Sequence, residues 1–530
     1  MTKSMCKHGE RRGGITMASG IGGEAGGPPV PPTPGLTDGI GPLTPERLEP
    51  QGGAPRRRRS RWAIVGLLVA LVVAAAFVVP RSGDGDGEAE PAAWDPRVQD
   101  VVRFVEAERG LAFEHPVPVD FLTPEEFRDE LTTEATDITP KDRRELRATE
   151  AIMRALGLLD GDIDLLAEFN RISTEGVAAF YDPARKRVFV PDGPLTPSLR
   201  ATLAHELTHA LHDQHYDLSA MQDDAPDDQA SAQRALIEGD AERIEHAYVG
   251  SLSDADMVQY REETKRAATE SRRALKGVPP IIRAIFESPY VLGESLIGAL
   301  LLDGGPSRIN QAFIEPPTSE EHLLDPFTYL DGDDPIEVPT PALSNGETEV
   351  DAGDLGAITW YLLLAERLDL HTALRAVDGW GGDAYVIYRS RDRFCVRAAF
   401  QGDDLAETAQ MERALTAWVD TMPQASAALT REGEILTLRS CDPGADVSSA
   451  TRDIAERALL IPLVRTSLAA GIEEEGVERP AARCLAAVII DRLPARSLLR
   501  LRTLMTREAF AAQIRELASA AFESCRSGGG

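Results

Sequence analysis

The feature of this chain that most constrains its fold and its chemistry is the segment His205-Glu206-Leu207-Thr208-His209. Two imidazoles four residues apart on an α-helix lie on one face, about 40° apart around the axis, so both can reach one metal ion. The glutamate between them projects beside that ion, where it can accept a proton from water. Zinc chemistry requires neutral nitrogen ligands, an open coordination position and a nearby base. The segment therefore predicts a zinc site with His205 and His209 as ligands and Glu206 as the catalytic base.

The residues before this segment favour a helix that is preceded by a β-hairpin. Thr196-Pro197 is typical of an N-cap followed by proline at the first helical position. Four leucines then recur at helical spacing, as expected of an apolar face: Leu199, Leu203, Leu207 and Leu211. Upstream, two β-like runs, residues 177–181 and 187–190, are joined by a turn-rich link at 182–185.

A carboxylate from a second helix is the favoured third ligand. Glu238 completes a His-His-Glu site, and Glu242, one turn later, is placed to hydrogen-bond a ligating imidazole. An HExxH helix followed by Glu-Gly-x-Ala resembles the gluzincins, the group of thermolysin-like and aminopeptidase-N-like enzymes. The resemblance covers residues 205–242 as a motif and about 95–440 as a fold. It implies an α+β, zincin-like metallopeptidase domain with Zn²⁺ as cofactor, although Glu242 stands where an aspartate is more familiar.

His215 is the alternative third ligand. The stretch from His205 to His215 resembles the longer HExxHxxGxxH motif of metzincins, except that His212 occupies the glycine position. Without the turn that glycine permits, the helix continues, and His215 then lies about 120° around the axis from His209 and roughly 9 Å along it. We therefore favour Glu238, and we expect His212 to be a polar residue near the mouth of the cleft.

Spacing does not single out a donor that would stabilise the oxyanion of the reaction. His322 and Tyr329 lie in the proline-rich segment 316–329, and Tyr385 lies in a predicted strand; each is a candidate, as is Tyr248. The segment resembles one that accompanies HELTH-containing domains in bacterial exported zinc-dependent proteins. A loop crossing the domain surface is the competing interpretation of that segment, and the one that we favour.

An apolar segment near the N-terminus predicts a membrane anchor. Residues 63–79 contain no polar side chain and would span about 26 Å as a helix, near the hydrocarbon thickness of a bilayer. The arginines just before them favour retention on the cytoplasmic side. We therefore interpret residues 56–80 as a basic flank and a single-pass signal anchor, with the following residues outside the cytoplasm. A cleaved signal peptide, with residues 74–76 as its cleavage region, is the alternative.

The residues around the anchor are predicted to be unstructured. Residues 1–55 are rich in glycine and proline and lack apolar periodicity, which predicts a disordered cytoplasmic tail. Its proline run, residues 28–32, is compatible with a polyproline ligand for a cytoplasmic partner, but the composition favours a solvated linker. Residues 81–94 are interpreted as a second linker, between the anchor and the ectodomain.

Charge divides the chain at the anchor. Residues 1–62 carry a net charge of +5 and residues 63–530 a net charge of −35, within a total of −30. Such acidity argues against nucleic acid as a partner and against adhesion to anionic lipid. We therefore expect contact with the bilayer only through residues 63–79. A protein or peptide substrate is what the resemblance to gluzincins implies.

Four of the five cysteines follow the anchor, at positions 395, 441, 484 and 525. An even number in an oxidising compartment predicts disulfides, and three pairings are possible. Pairing Cys395 with Cys441 and Cys484 with Cys525 respects the apparent order of domains.

The ectodomain is predicted to contain a zincin-like metallopeptidase domain, residues 95–445, and a helical C-terminal domain, residues 446–530. The apolar stretch 281–302 is interrupted by Pro289 and by glycines, so we expect it to pack behind the site rather than to cross the membrane. The resemblance implies a zinc metallopeptidase, in particular an endopeptidase, and the predicted anchor implies that it is bound to the membrane with its catalytic domain outside the cytoplasm. The alternative is a catalytically inactive zincin-fold protein that binds partners in the cell envelope.

Overall fold

The computed structural model describes most of the chain beyond the predicted anchor. It covers residues 92–133, 138–222, 225–423, 426–448 and 454–492, together with Cys525. The predicted tail (1–55) and the predicted anchor (56–80) lie outside the described residues, as does most of the predicted linker (81–94).

The described residues form an α+β structure, as the sequence predicts. The helices, in chain order, are α1 (Gln99–Arg109), α2 (Pro124–Leu131), α3 (Pro140–Ala155), α4 (Leu165–Gly176), α5 (Pro197–Tyr216), α6 (Leu218–Gln222), α7 (Asp227–Gly250), α8 (Asp254–Ala274), α9 (Pro280–Gly304), α10 (Pro306–Ile314), α11 (Glu321–Leu324), α12 (Pro326–Asp331), α13 (Gly356–Ala365), α14 (Leu370–Val377), α15 (Leu405–Thr421), α16 (Ala455–Ala458), α17 (Leu460–Glu474) and α18 (Arg479–Arg492).

The strands form two sheets within the described part of the chain. They are β1 (Val119–Leu122), β2 (Phe180–Asp182), β3 (Arg187–Pro191), β4 (Glu347–Gly353), β5 (Trp380–Ser390), β6 (Arg393–Gly402), β7 (Ala427–Glu432) and β8 (Ile435–Cys441). The first sheet has the order β1-β3-β2, and the second has the order β4-β5-β6-β8-β7.

The small sheet confirms the predicted hairpin. β2 and β3 pair in antiparallel fashion, with Tyr181 opposite Val188, while β1 joins the other side of β3 in parallel. The backbone N–H of Val188 donates to the carbonyl of Pro118, toward β1. Tyr181 and Val188 therefore do not hydrogen-bond to each other through their backbones. The N–H and C=O of Tyr181 point away from β3, to the side of β2 that has no partner strand in the sheet.

Helix α5 follows this sheet and begins as predicted. The hydroxyl of Thr196 accepts a hydrogen bond from the backbone N–H of Leu199, and Pro197 occupies the first turn. Three of the four predicted apolar-face leucines, Leu203, Leu207 and Leu211, are completely buried. They pack with α1 and the small sheet, so the helix that carries the HExxH segment lies inside the protein.

Helix α7 lies between two apolar cores. Leu236 and Ile237 belong to a large cluster that also includes α9, α13 and the five-stranded sheet. Ile244, two turns later, belongs to the cluster around α5. Any charged residue in the middle of α7 is therefore surrounded by packed side chains rather than by water.

Helices α7 and α9 cross with their backbones in close contact. Gly239 on α7 faces Gly293 on α9, and a Cβ atom on Gly239 would lie 2.5 Å from the carbonyl oxygen of Gly293. A Cβ atom on Gly293 would overlap the carbonyl oxygen of Ala235. Glycine at both positions is what permits this approach, because no other residue lacks a Cβ atom.

Helix α9 is the one candidate membrane span among the described residues. Half of its most apolar 18-residue stretch is buried inside the protein. Leu292, Leu296 and Leu300 pack in the large core. It contacts α7, α10 and α17 extensively. We therefore treat α9 as a helix of the protein core.

The five-stranded sheet carries one of two disulfides, and both have the predicted pairing. Cys395 on β6 and Cys441 on β8 are directly opposed on neighbouring strands and bonded. Cys484 on α18 is bonded to Cys525. The described residues of the predicted C-terminal domain are largely helical, and several of their side chains belong to the large core.

A methyl group at the α7–α9 crossing should destabilise the fold. We expect Gly293→Ala to lower the free energy of unfolding by about 1–3 kcal/mol, because the added carbon must push the two backbones apart. The measurement is urea denaturation followed by circular dichroism. Gly298→Ala is the matched control in the same helix, since a Cβ atom there meets nothing within 4 Å. The control should be neutral or stabilising by about 0.5–1 kcal/mol; equal destabilisation by both changes would contradict the close approach.

Candidate metal centre

Helices α5 and α7 bring together His205, His209 and Glu238. The Nε2 atoms of the two histidines lie 3.2 and 3.3 Å from the same oxygen, Oε2 of Glu238. All three side chains are buried, and their ligand atoms lie within 4.8 Å of one another. The structure thus forms the three-residue group that the sequence predicts, and this group could hold a metal ion.

The spacing of the three donor atoms fits a small divalent cation. Zinc binds imidazole nitrogen and carboxylate oxygen at about 2.0–2.2 Å, and tetrahedral ligands at that distance are separated by about 3.3–3.6 Å. The two nitrogen–oxygen distances in the cluster, 3.2 and 3.3 Å, are close to that separation. Two imidazoles and one carboxylate are also the donor set of known catalytic zinc sites, which keep a fourth position open.

The charges in the cluster also favour a cation at this point. Burial raises the pKa of Glu238, but the two imidazoles outweigh burial and hold that pKa well below its usual range. Burial lowers the pKa of His205, but Glu238, Glu245 and Glu206 outweigh it, and the net shift is strongly upward. A buried carboxylate therefore persists next to an imidazole that retains a proton. Metal binding needs neutral imidazole and releases such a proton.

The outer side of His205 faces Glu245 rather than Glu242. Oε2 of Glu245 lies 3.4 Å from Nδ1 of His205, which is an ion-pair distance without hydrogen-bond geometry. The sequence prediction assigned this position to Glu242. Burial raises the pKa of Glu242 to about 7; His205 opposes that shift, and the neighbouring glutamates, first Glu245, add to it. Both residues lie on α7 and follow Glu238, Glu242 by about one turn and Glu245 by nearly two.

Glu206 is held beside the cluster by the edge strand β2. Its Oε2 accepts a hydrogen bond of 2.8 Å from the backbone N–H of Tyr181. The hydroxyl of Tyr181 donates to Asp213, which also lies on α5 and pairs with Lys186. The strand is therefore tied to α5 at two points, one on each side of His209. Burial raises the pKa of Glu206, and the two histidines partly oppose that shift.

A buried ionic network lies next to the cluster and was not predicted. His212 is completely buried, and its Nε2 lies 3.0 Å from Oδ2 of Asp240. Nε of Arg109 lies 2.6 Å from that same oxygen, and Nε of Arg243 donates to the other oxygen of Asp240. Burial lowers the pKa of His212 to about 4, so its ring is neutral at pH 7. The expectation that His212 lies near the cleft mouth is wrong, because this network joins α1, α5 and α7 inside the protein.

His215 does not join the cluster. Helix α5 continues through Tyr216 and ends only at Asp217, whose φ of 49° is left-handed. The ring of His215 is exposed, and its Nε2 lies 2.8 Å from the carbonyl oxygen of Ala112. Because the chain does not turn at His212, His215 faces α1 and the loop after it.

The predicted oxyanion donors are engaged elsewhere. His322 lies between the backbone of Thr318 and the carbonyl of Asp333, which use both of its ring nitrogens. The hydroxyl of Tyr329 donates to the carbonyl of Glu315.

The other two candidate donors, Tyr385 and Tyr248, also contact residues outside the cluster. Tyr385 lies in β5, and its hydroxyl donates to Asp351 on the neighbouring strand β4. Tyr248 packs edge-on against Phe104 of α1.

Tyr290 is the tyrosine that the structure does place at the cluster. Its ring is inclined by 28° to that of His205, and the ring centroids lie 6.4 Å apart. Burial, followed by the charge of Glu238, raises the pKa of the Tyr290 hydroxyl well above its usual range, so it keeps its proton. Tyr290 precedes Gly293 by one turn on α9, and the close crossing of α7 and α9 brings it near Glu238. The Pro-Tyr pair inside a long apolar stretch was the only signal for it in the sequence.

Comparisons of this chain with protein-family models, with curated proteins and with solved structures give no match. The assignment of a function therefore depends on the geometry of the cluster and on its motif.

Removing Glu238 should remove the metal, while removing His215 should not. We expect the purified full-length protein to contain one zinc ion per chain, and Glu238→Ala to weaken zinc binding by more than about 100-fold, since even residues that only orient ligands contribute up to about that much. Metal content after dialysis, measured by plasma mass spectrometry, checks this. His215→Ala is the matched control and should keep its zinc. Loss of zinc from His215→Ala alone would refute the proposed ligand set.

Proposed function

We propose that this protein is a membrane-anchored, extracytoplasmic zinc-dependent peptidase of the gluzincin type. The observation that carries the proposal is the buried cluster of His205, His209 and Glu238, which has Glu206 at its side. Motif, donor spacing and charge all favour zinc in this cluster. Hydrolysis is favoured because a carboxylate that is not a ligand stands beside the ligands.

A zinc ion held by these three residues would polarise a carbonyl group and lower the pKa of water. Glu206 is the base that takes the proton from the attacking water and passes it to the leaving amine. Its raised pKa suits this exchange, because a base whose pKa lies nearer the working pH both accepts and returns a proton readily. The backbone of Tyr181 binds one carboxylate oxygen and so fixes the orientation of the other.

The side of β2 that has no partner strand is the proposed place for a peptide substrate; in this structure Phe180, Tyr181 and Asp182 are buried there. In the described residues β2 pairs with β3 alone, and the carbonyl of Tyr181 points to the open side. An extended peptide can add to such an edge through backbone hydrogen bonds. Because Tyr181 also holds Glu206, a peptide bound along β2 would lie next to the catalytic base.

Tyr290 is the proposed donor to the oxyanion. A tyrosine that keeps its proton can donate a hydrogen bond to a developing negative charge. The ring contact with His205 puts Tyr290 on the side of the cluster that faces α9, whereas Glu206 is held by β2. The base and the donor therefore belong to different elements of the fold.

The location outside the cytoplasm is supported by the two disulfides, which persist in oxidising compartments. The apolar segment 63–79 with its arginine-rich flank supports a single-pass anchor.

Replacing Glu206 with glutamine should abolish hydrolysis and preserve the metal. We expect kcat for Glu206→Gln to fall by about 10²–10⁴, because an amide cannot accept the proton. The measurement is cleavage of a library of quenched fluorescent peptides by the full-length protein, with zinc content determined on the same samples. Glu262→Gln on the exposed face of α8 is the control and should match the wild type. Full activity of Glu206→Gln would contradict the mechanism. A wild type that binds zinc and cleaves nothing would instead favour the inactive binding protein.

Removing the hydroxyl of Tyr290 should slow the reaction without weakening substrate binding. For Tyr290→Phe we expect kcat to fall by about 10²–10³ and KM to change little, as found when a single oxyanion donor is removed. Tyr385→Phe, which removes a buried hydroxyl on β5, is the matched control and should retain its kcat. Steady-state kinetics on any peptide cleaved by the wild type would distinguish them. An unchanged kcat for Tyr290→Phe would exclude this role.

A further inference from the structure

One residue of β2, Tyr181, contacts helix α5 at two points. Its backbone N–H donates to Oε2 of Glu206 at 2.8 Å, and its hydroxyl donates to Oδ2 of Asp213 at 2.5 Å. Residues 206 and 213 are two turns apart, which places them on one face of the helix, about 10.5 Å apart along its axis. The side chain of Tyr181 therefore lies along α5, with its backbone at the proposed base and its hydroxyl two turns away.

The contact between the hydroxyl and the distant carboxylate is buried. Tyr181 is 2% exposed and Asp213 is 5% exposed. Burial, followed by the charge of Asp213, raises the pKa of the Tyr181 hydroxyl far above its usual range, so the hydroxyl keeps its proton and is the donor. A hydrogen bond from a hydroxyl to a carboxylate is about twice as strong as one between neutral groups. The contact is therefore able to hold a strand in place.

Asp213 lies in the last turn of α5, where a carboxylate by itself is unfavourable. The helix dipole places partial negative charge at that end, and burial adds the cost of removing the carboxylate from water. Besides the Tyr181 hydroxyl, two donors compensate. Nζ of Lys186 lies 2.6 Å from Oδ2, and the backbone N–H of Leu218 donates to Oδ1 at 3.0 Å. Tyr181 and Lys186 both belong to the β2–β3 hairpin, so the buried charge draws the hairpin onto α5.

The hairpin turn is held in one shape by its own side chains. Oδ1 of Asp182 accepts hydrogen bonds from the backbone N–H groups two and three residues later, and Oδ2 of Asp182 accepts one from Nε of Arg185. Lys186 then has a left-handed φ of 53°. Because the turn is fixed in this way, Tyr181 and Lys186 reach Asp213 as one unit.

The strand that presents the N–H to Glu206 is short and is supported on one side. β2 has three residues, and among the described strands it pairs with β3 alone. Tyr181 makes no backbone bond to Val188, which lies opposite it. Its backbone is therefore fixed by its neighbours in the strand and by its own side chain. A displacement of about 1 Å near the reacting groups can lower a rate by about 10²-fold.

We propose that the hydroxyl of Tyr181 and the carboxylate of Asp213 are a positioning pair for Glu206, which acts through the backbone of β2. The inference rests on the proposed function, because it takes Glu206 to be the base. Asp213 is one turn beyond the ligand His209 and faces the hairpin, so the pair orients the base without touching the reacting atoms.

Hydrogen exchange at the amide of Tyr181 tests the positioning without a substrate. In the full-length protein in detergent, with zinc kept constant, we expect this amide to exchange at least about tenfold faster in Tyr181→Phe than in the wild type. A hydrogen bond to a charged group typically contributes that factor or more. The measurement is exchange followed by mass spectrometry with fragmentation to single residues. Equal rates in the two proteins would overturn the proposal.

Tyr361→Phe is the matched control for this experiment. The hydroxyl of Tyr361 is also buried, and it donates to the carbonyl of Ala458 in the large core. Its removal should leave the exchange of the Tyr181 amide and the kcat unchanged. A faster exchange at position 181 in this control as well would mean that any loss of a buried hydroxyl loosens the strand, and it would contradict the pairing.

Kinetics show whether the pair acts through Glu206. We expect kcat for Tyr181→Phe to fall by about 10–10²-fold with zinc content unchanged. In the background of Glu206→Gln the same change should have no further effect on the residual kcat, since the base is already absent. An equal fall in both backgrounds would indicate a general structural role and would refute the positioning pair.

A second variant removes the other partner. Asp213→Ala should have a kcat at least as low as that of Tyr181→Phe, and the double variant should match Asp213→Ala, because its tyrosine hydroxyl has no remaining bond to lose. Additive losses would contradict the pair. If the wild type cleaves no peptide, the proposed function fails, and hydrogen exchange still decides whether the pair holds β2 on Glu206. If Glu206→Gln is inactive but Tyr181→Phe matches the wild type, the proposed function stands and the positioning pair fails.

Discussion

The buried carboxylate of Glu238 is the charge around which the centre of this protein is built. It lies between two apolar cores, where an anion without compensation would be very costly. Two imidazoles converge on one of its oxygens, and a metal cation in the same place would satisfy all three groups at once. The helices that carry these residues must therefore be held at one distance and one angle.

Two features of different chemistry fix that geometry. The glycine contact between α7 and α9 sets how closely the backbones approach, because any side chain there would overlap a carbonyl oxygen. The network of Asp240 with His212 and Arg109 joins α7 to α5 and α1 by charge and hydrogen bonds in the buried interior. Removing one member would leave buried charges without partners, which is why such networks define a single arrangement.

The sequence by itself determined what depends on short spacing. His205, Glu206 and His209 lie on one helix, so periodicity alone places them together, and the N-cap at Thr196 and the β2–β3 hairpin are equally local. The tertiary structure decided what depends on how helices cross. Glu245 rather than Glu242 faces His205, Tyr290 rather than the predicted donors lies at the cluster, and Asp240 pairs with a buried His212, since crossing angles follow from packing along whole helices.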